Sequence, residues 1–125
     1  MPSSKPRIAE VVDLAKIRAN TRLVACRKRI ARAQETNKRA LTRLFNAGLL
    51  FTKEGTRIGR DLLLAYQQLL RVEALLVRLS DANAPASKAN AGKLAATFRE
   101  LEAVLERTSA LTHRTGEWLD ALRSE

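Results

Sequence analysis

The chain has 125 residues, 46% of them hydrophobic but only 4% aromatic, and its formal net charge is +10. That length suits one domain with a single core, and an Ala-, Leu- and Arg-rich composition poor in aromatics excludes a sheet protein, because strands favour β-branched and aromatic side chains. Cys26 stands alone, which excludes an intramolecular disulfide and predicts a buried, reduced thiol of a cytoplasmic protein.

The charge is uneven. Residues 1–48 carry twelve Lys and Arg against Glu10, Asp13 and Glu35, a net of +9, whereas residues 49–80 have a net of +2 and residues 81–125 a net of −1. No apolar stretch follows Met1 to Lys5, and the longest apolar run, Leu62 to Tyr66, is too short to cross a bilayer. A soluble protein without a transmembrane segment is expected.

The first predicted helix covers about residues 6–47. Ser3 and Ser4 ahead of Pro6 suit its start. Its seam opens with Ile8, Val12, Ala15 and Ala19, then runs through Leu23, Cys26, Ile30, Ala33, Ala40, Leu44 and Ala47, with Asn37 as the one polar seam position. Steps of three and four put these residues on one face, and the two successive fours between Ala15 and Leu23 form a stutter that unwinds a supercoil locally. Beside the seam runs a basic line at the same rhythm: Arg18, Arg22, Arg29, Arg32, Arg39 and Arg43.

Asn46-Ala47-Gly48 predicts the end of this helix, since Gly accepts the left-handed conformation that closes one; a helix continuous through Gly48 is the alternative. Leu49, Leu50 and Phe51 are too apolar for an exposed loop and are expected to plug the bundle end. Thr52 or Thr56 then caps a second helix, about 53–80, whose seam is Ile58, Leu62, Ala65, Leu69, Val72, Leu76 and Leu79. Leu63, Tyr66, Leu70 and Val77 widen its apolar face, so it should be central. Gly55 and Gly59, spaced GxxxG, predict a close approach at the turn.

Ser80 to Ala86 reads as the linker, with Ser87 or Asn90 capping a third helix of about 87–123. Its seam starts with Leu94, Phe98, Leu101 and Leu105, turns polar at Thr108, Thr112 and Thr115, and ends with Leu119 and Leu122. Val104, Leu111 and Trp118 offer a neighbouring line, onto which the buried face is expected to rotate.

Chemistry has no visible carrier. The sole His, His113, shares a face with Glu102, Glu106, Glu117 and Asp120, but carboxylate-bridged metal bundles use Glu-x-x-His on two helices, and that motif is missing. The stripe reads as a solvated acidic face, no cofactor is expected, and Gly55 to Gly59 lacks the spacing and the Lys-Ser/Thr of a phosphate loop. The expectation is a non-enzymatic, all-α, antiparallel three-helix bundle of long, coiled-coil-like helices that works by binding.

A basic protein attracts polyanions. The first reading is an interaction or regulatory module that docks an acidic protein partner, or itself, through Arg18, Arg22, Arg29, Arg32, Arg39 and Arg43. The alternative is a sequence-independent nucleic-acid binder that tracks a duplex backbone; single-strand binding has little support because almost no exposed aromatic is expected for stacking. The bland reading is that the line is solvated and partly paired with acids of the third helix. Helix lengths of roughly 60, 40 and 55 Å also predict uncovered apolar ends at Ile8, Val11, Val12 and Leu14 and at Trp118, Leu119 and Leu122. A homodimer would cover them; a kink at Gly116 that folds Trp118 over the plug is the competing outcome.

Overall fold

The computed structural model describes residues 4–80 and 88–124, without the side chains of residues 4–17, 19 and 88–90. Three helices, α1 (Ser4–Asn46), α2 (Lys53–Leu79) and α3 (Lys88–Arg123), pack against one another, and no strand occurs among the described residues. The three-helix all-α bundle is therefore as expected. None of these helices is long and apolar enough to cross a membrane.

The chain breaks at Gly48, whose φ of 72° is the left-handed conformation that ends α1 and rules out a continuous helix. Thr52 caps α2 by accepting the Gly55 amide at 3.0 Å, while its hydroxyl donates to the Leu49 carbonyl. The turn lies flat on α2 because glycine leaves room for it. A Cβ on Gly55 would stand 1.6 Å from the Leu49 carbonyl oxygen, and one on Gly59 would press on Leu50 at 2.9 Å. Leu49 and Leu50 thus pack on the core as the expected plug. Phe51 does not: it is 86% exposed at the tip of the turn.

Pairs between helices set the register. Arg22 lies over the Phe98 ring, Arg29 bonds Glu102 and Arg43 bonds Asp120, so residue numbers rise together and α3 runs parallel to α1. Arg27 meets Glu73 and Asn37 meets Leu62, so α2 runs antiparallel to both. The offsets place the start of α3 about eight residues, or roughly 12 Å, below the end of α2. The expected exposure of Trp118 and Leu119 placed the start of α3 level with the end of α2; because α3 starts lower than that, its far end does not overshoot the turn. Leu119 is 4% exposed, packed with Ala40, Leu44 and Leu62, and Trp118 is half-buried on the same cluster as Leu49 and Leu50. α3 continues helical through Gly116, so Trp118 reaches this cluster with no break in the helix. Only Leu122 remains exposed. Ile8, Val11, Val12 and Leu14, like the caps proposed at Ser87 and Asn90, lie outside the described side chains.

The core falls into two apolar clusters. One joins Cys26, Ile30, Leu69, Val72, Leu76, Phe98, Leu101 and Val104; the other joins Ala40, Leu44, Leu62 and Leu119. Between them lies a polar waist of Asn37, Thr108 and Thr115, all buried. The polar seam of α3 therefore stays inside, instead of yielding entirely to Val104, Leu111 and Trp118. Thr115 is accommodated because its hydroxyl donates back to the Leu111 carbonyl at 2.8 Å. Asn37 donates from Nδ2 to the Leu62 carbonyl at 2.9 Å, but its Oδ1 and the Thr108 hydroxyl have no partner among the described residues.

Candidate functional site

The basic line of α1 faces two ways. Arg22, Arg29 and Arg43 turn toward α3: the Arg22 guanidinium stacks 3.7 Å from the Phe98 ring centre, Arg29 grips both carboxylate oxygens of Glu102 with Nη2–Oε2 at 2.9 Å, and Arg43 reaches Asp120 at 2.8 Å. Gly116 is not required for this last contact, since a Cβ there would meet the Arg43 guanidinium at 3.6 Å, an ordinary contact distance. The hydrogen bonds from Arg29 hold the Glu102 carboxyl below the usual carboxylate range, and the same pairing raises the Arg29 pKa. Half of the line is thus consumed in holding α3, and part of the acidic face of α3 is its complement.

The other half points outward. Arg39 makes only a 3.5 Å intrahelical pair with Glu35. Arg18, Arg32 and the neighbouring Lys28 are exposed, with no ion-pair partner among the described residues. Arg32 and Arg29 line an open groove of about 450 Å³ between α1 and α3, opposite Glu102 and Glu106, with Thr108 at its wall. This groove carries both signs of charge.

Cys26 sits beneath Arg22 and Arg29. It is buried and its pKa is raised, because burial penalises the thiolate more than the two nearby guanidiniums favour it. His113 pairs with Glu117 one turn away at 2.8 Å and is exposed. Among the described residues no group of three His, Cys, Asp or Glu side chains converges as a metal site would require. The chain matches no protein-family model, no curated protein and no solved structure.

Two surface features escaped the sequence reading. Phe45 and Phe51 are exposed near the α1–α2 turn, so exposed aromatics do exist there. The line Leu63, Leu70 and Val77, expected to widen the core face, is exposed too. Its spacing of seven was visible in the sequence; that α1 leaves it uncovered was not.

Proposed function

We propose that the protein is a non-enzymatic helical docking module whose outward cations on α1 bind an acidic protein partner. The supporting observation is the division of the basic line. Arg22, Arg29 and Arg43 are tied to α3, whereas Arg18, Lys28 and Arg32 are exposed with no ion-pair partner among the described residues. Unneutralised charge on a rigid helix raises association rates and selects partners of opposite sign.

The test uses the variant Arg18→Glu/Lys28→Glu/Arg32→Glu, which leaves every α1–α3 pair intact and should keep its helical signal and melting temperature. Binding to polyglutamate and to a duplex oligonucleotide is measured over a salt series. The docking reading expects polyglutamate binding that the variant loses. It is overturned if the variant binds polyglutamate as the wild type does, or if the wild type prefers the duplex with a steep salt slope, the outcome that would make it a nucleic-acid binder.

A further inference from the structure

The α1–α2 side of the bundle carries an apolar seam that no part of the described chain covers. On α2 the positions Leu63, Tyr66, Leu70, Glu73 and Val77 recur at steps of three and four. Tyr66 lies 5.7 Å from the Lys38 ammonium and Glu73 pairs with Arg27, which shows that this line borders α1. The facing line on α1, by the same steps, is Val24, Arg27, Ala31, Gln34 and Lys38. Antiparallel pairing brings Val24 level with Val77 and Ala31 level with Leu70. Val24, Leu63, Leu70 and Val77 are 43% to 54% exposed, a large share for side chains of this size in a helix flank.

Apolar positions seven apart at Leu63, Leu70 and Val77 are what a packed helix presents to another helix. They span two heptads, or about 21 Å. We infer that this seam is the seat of an acidic amphipathic helix from a partner protein, which would complete a four-helix arrangement; the inference rests on the docking reading above and names the surface and the kind of partner. Charge selects this occupant. The seam is bordered by Arg27, Lys28 and Lys38 on α1 and by the exposed Arg60, Arg71 and Arg78 on α2, against only Glu35 and Glu73, and each of those two acids is already paired with an arginine. A second copy of this chain would bring the same cations face to face, which opposes association. A helix with Leu on its inner face and Glu on both flanks meets the apolar line and both rims at once.

The experiment uses the full chain and two fluorescent peptides of about 18 residues, matched to the length of the seam. Both carry Leu at heptad positions; one has Glu flanks and the other Lys flanks. The wild type is expected to bind the Glu-flanked peptide and not the Lys-flanked one. Leu63→Gln/Leu70→Gln/Val77→Gln, which alters only exposed side chains, should weaken binding about tenfold or more, and Arg60→Glu/Arg71→Glu/Arg78→Glu should do the same with the seam intact. Unchanged helicity in either variant makes its result decisive. The inference is overturned if the Gln variant binds like the wild type, or if the wild type is a dimer that the Gln variant dissolves, which would make the occupant a second copy. Should Arg18→Glu/Lys28→Glu/Arg32→Glu abolish binding while the Gln variant retains it, the seam falls and the docking module stands. If the wild type binds neither peptide nor polyglutamate, both fall.

Discussion

Replacing Asn37 by Leu should make the protein more stable. Asn37 is fully buried; its Nδ2 makes one hydrogen bond, to Leu62, and its Oδ1 has none. A buried acceptor left without a partner costs about 1–3 kcal/mol, while the hydrogen bond lost contributes about 1 kcal/mol net. The Leu62 carbonyl lies inside α2 and keeps its helical amide bond, so the substitution strands no group. A buried Leu, branched like Asn but larger, adds about 1.5–3 kcal/mol of apolar burial, and the strain of fitting its extra volume offsets part of it. The net expectation is a gain of about 1–3 kcal/mol. For a chain of this length each kcal/mol raises the melting temperature by about 4 °C. Asn37→Ala should fall about 2–4 kcal/mol below Asn37→Leu, since it leaves a cavity between the two clusters. Urea titration followed by circular dichroism measures both, with light scattering to hold the mass constant, because a single seam Asn also restricts register and oligomer state. Asn37→Leu less stable than wild type at unchanged mass would refute the reasoning and show that Oδ1 is satisfied by a buried water.

Gly55→Ala should destabilise by several kcal/mol, because its Cβ would overlap the Leu49 carbonyl, whereas Gly116→Ala should stabilise by about 0.5–1 kcal/mol through helix propensity, its Cβ meeting only the Arg43 guanidinium at ordinary contact distance; thermal melts that rank the two alike would contradict the turn geometry. The raised pKa of Cys26 means that the folded state holds its thiol proton at pH values where the unfolded state has lost it, so stability should be level below pH 9.0 and fall above it; Cys26→Ser should remove that alkaline decline. The lowered pKa of Glu102 acts at the opposite end: its contribution is present above the ordinary value of 4.5 and is lost as pH falls through the folded value. Because both partners are exposed, the acid effect should be small and further reduced by salt; an acid transition equally steep in Glu102→Gln would show that the pair plays no part.

The helices and their seams were legible because burial in a bundle follows steps of three and four, and Leu62, Leu69, Val72 and Leu76 obey them without interruption. The Gly48 break, the Thr52 cap and the plug at Leu49 and Leu50 were legible from local backbone chemistry. Three things were not. Vertical register depends on where α3 starts, and the length estimate for Leu119 assumed a start at the wrong level. The fate of each arginine depends on which acid stands opposite: Arg29 and Arg32 look equivalent in the sequence, but Glu102 faces the first. Phe51 belongs to a short apolar run, but a turn held against α2 by Gly55 and Gly59 can bury Leu49 and Leu50 while its tip points away.

The side chains of α1 explain both the polar waist and the open seam. It gives the waist Asn37, the cluster positions on either side of it only Ala33 and Ala40, and the seam Val24 and Ala31, so this long helix buries few large apolar groups beyond Ile30 and Leu44. Much of what holds its flanks is ionic, through Arg27, Arg29 and Arg43, and ion pairs this exposed contribute about 0–1 kcal/mol each. α2, by contrast, inserts Leu62, Leu69, Val72 and Leu76 into the clusters. The uncovered apolar area is therefore on the α1–α2 flank, where Val24 of α1 and Leu70 and Val77 of α2 remain exposed. A helix seated there would bury those side chains together with the contact line of α1, and by linkage would stabilise the fold by about 2.7 kcal/mol at a hundred times its dissociation constant. Binding and the stability of α1 are then coupled through the same side chains, so a partner that fills the seam must also raise the melting temperature.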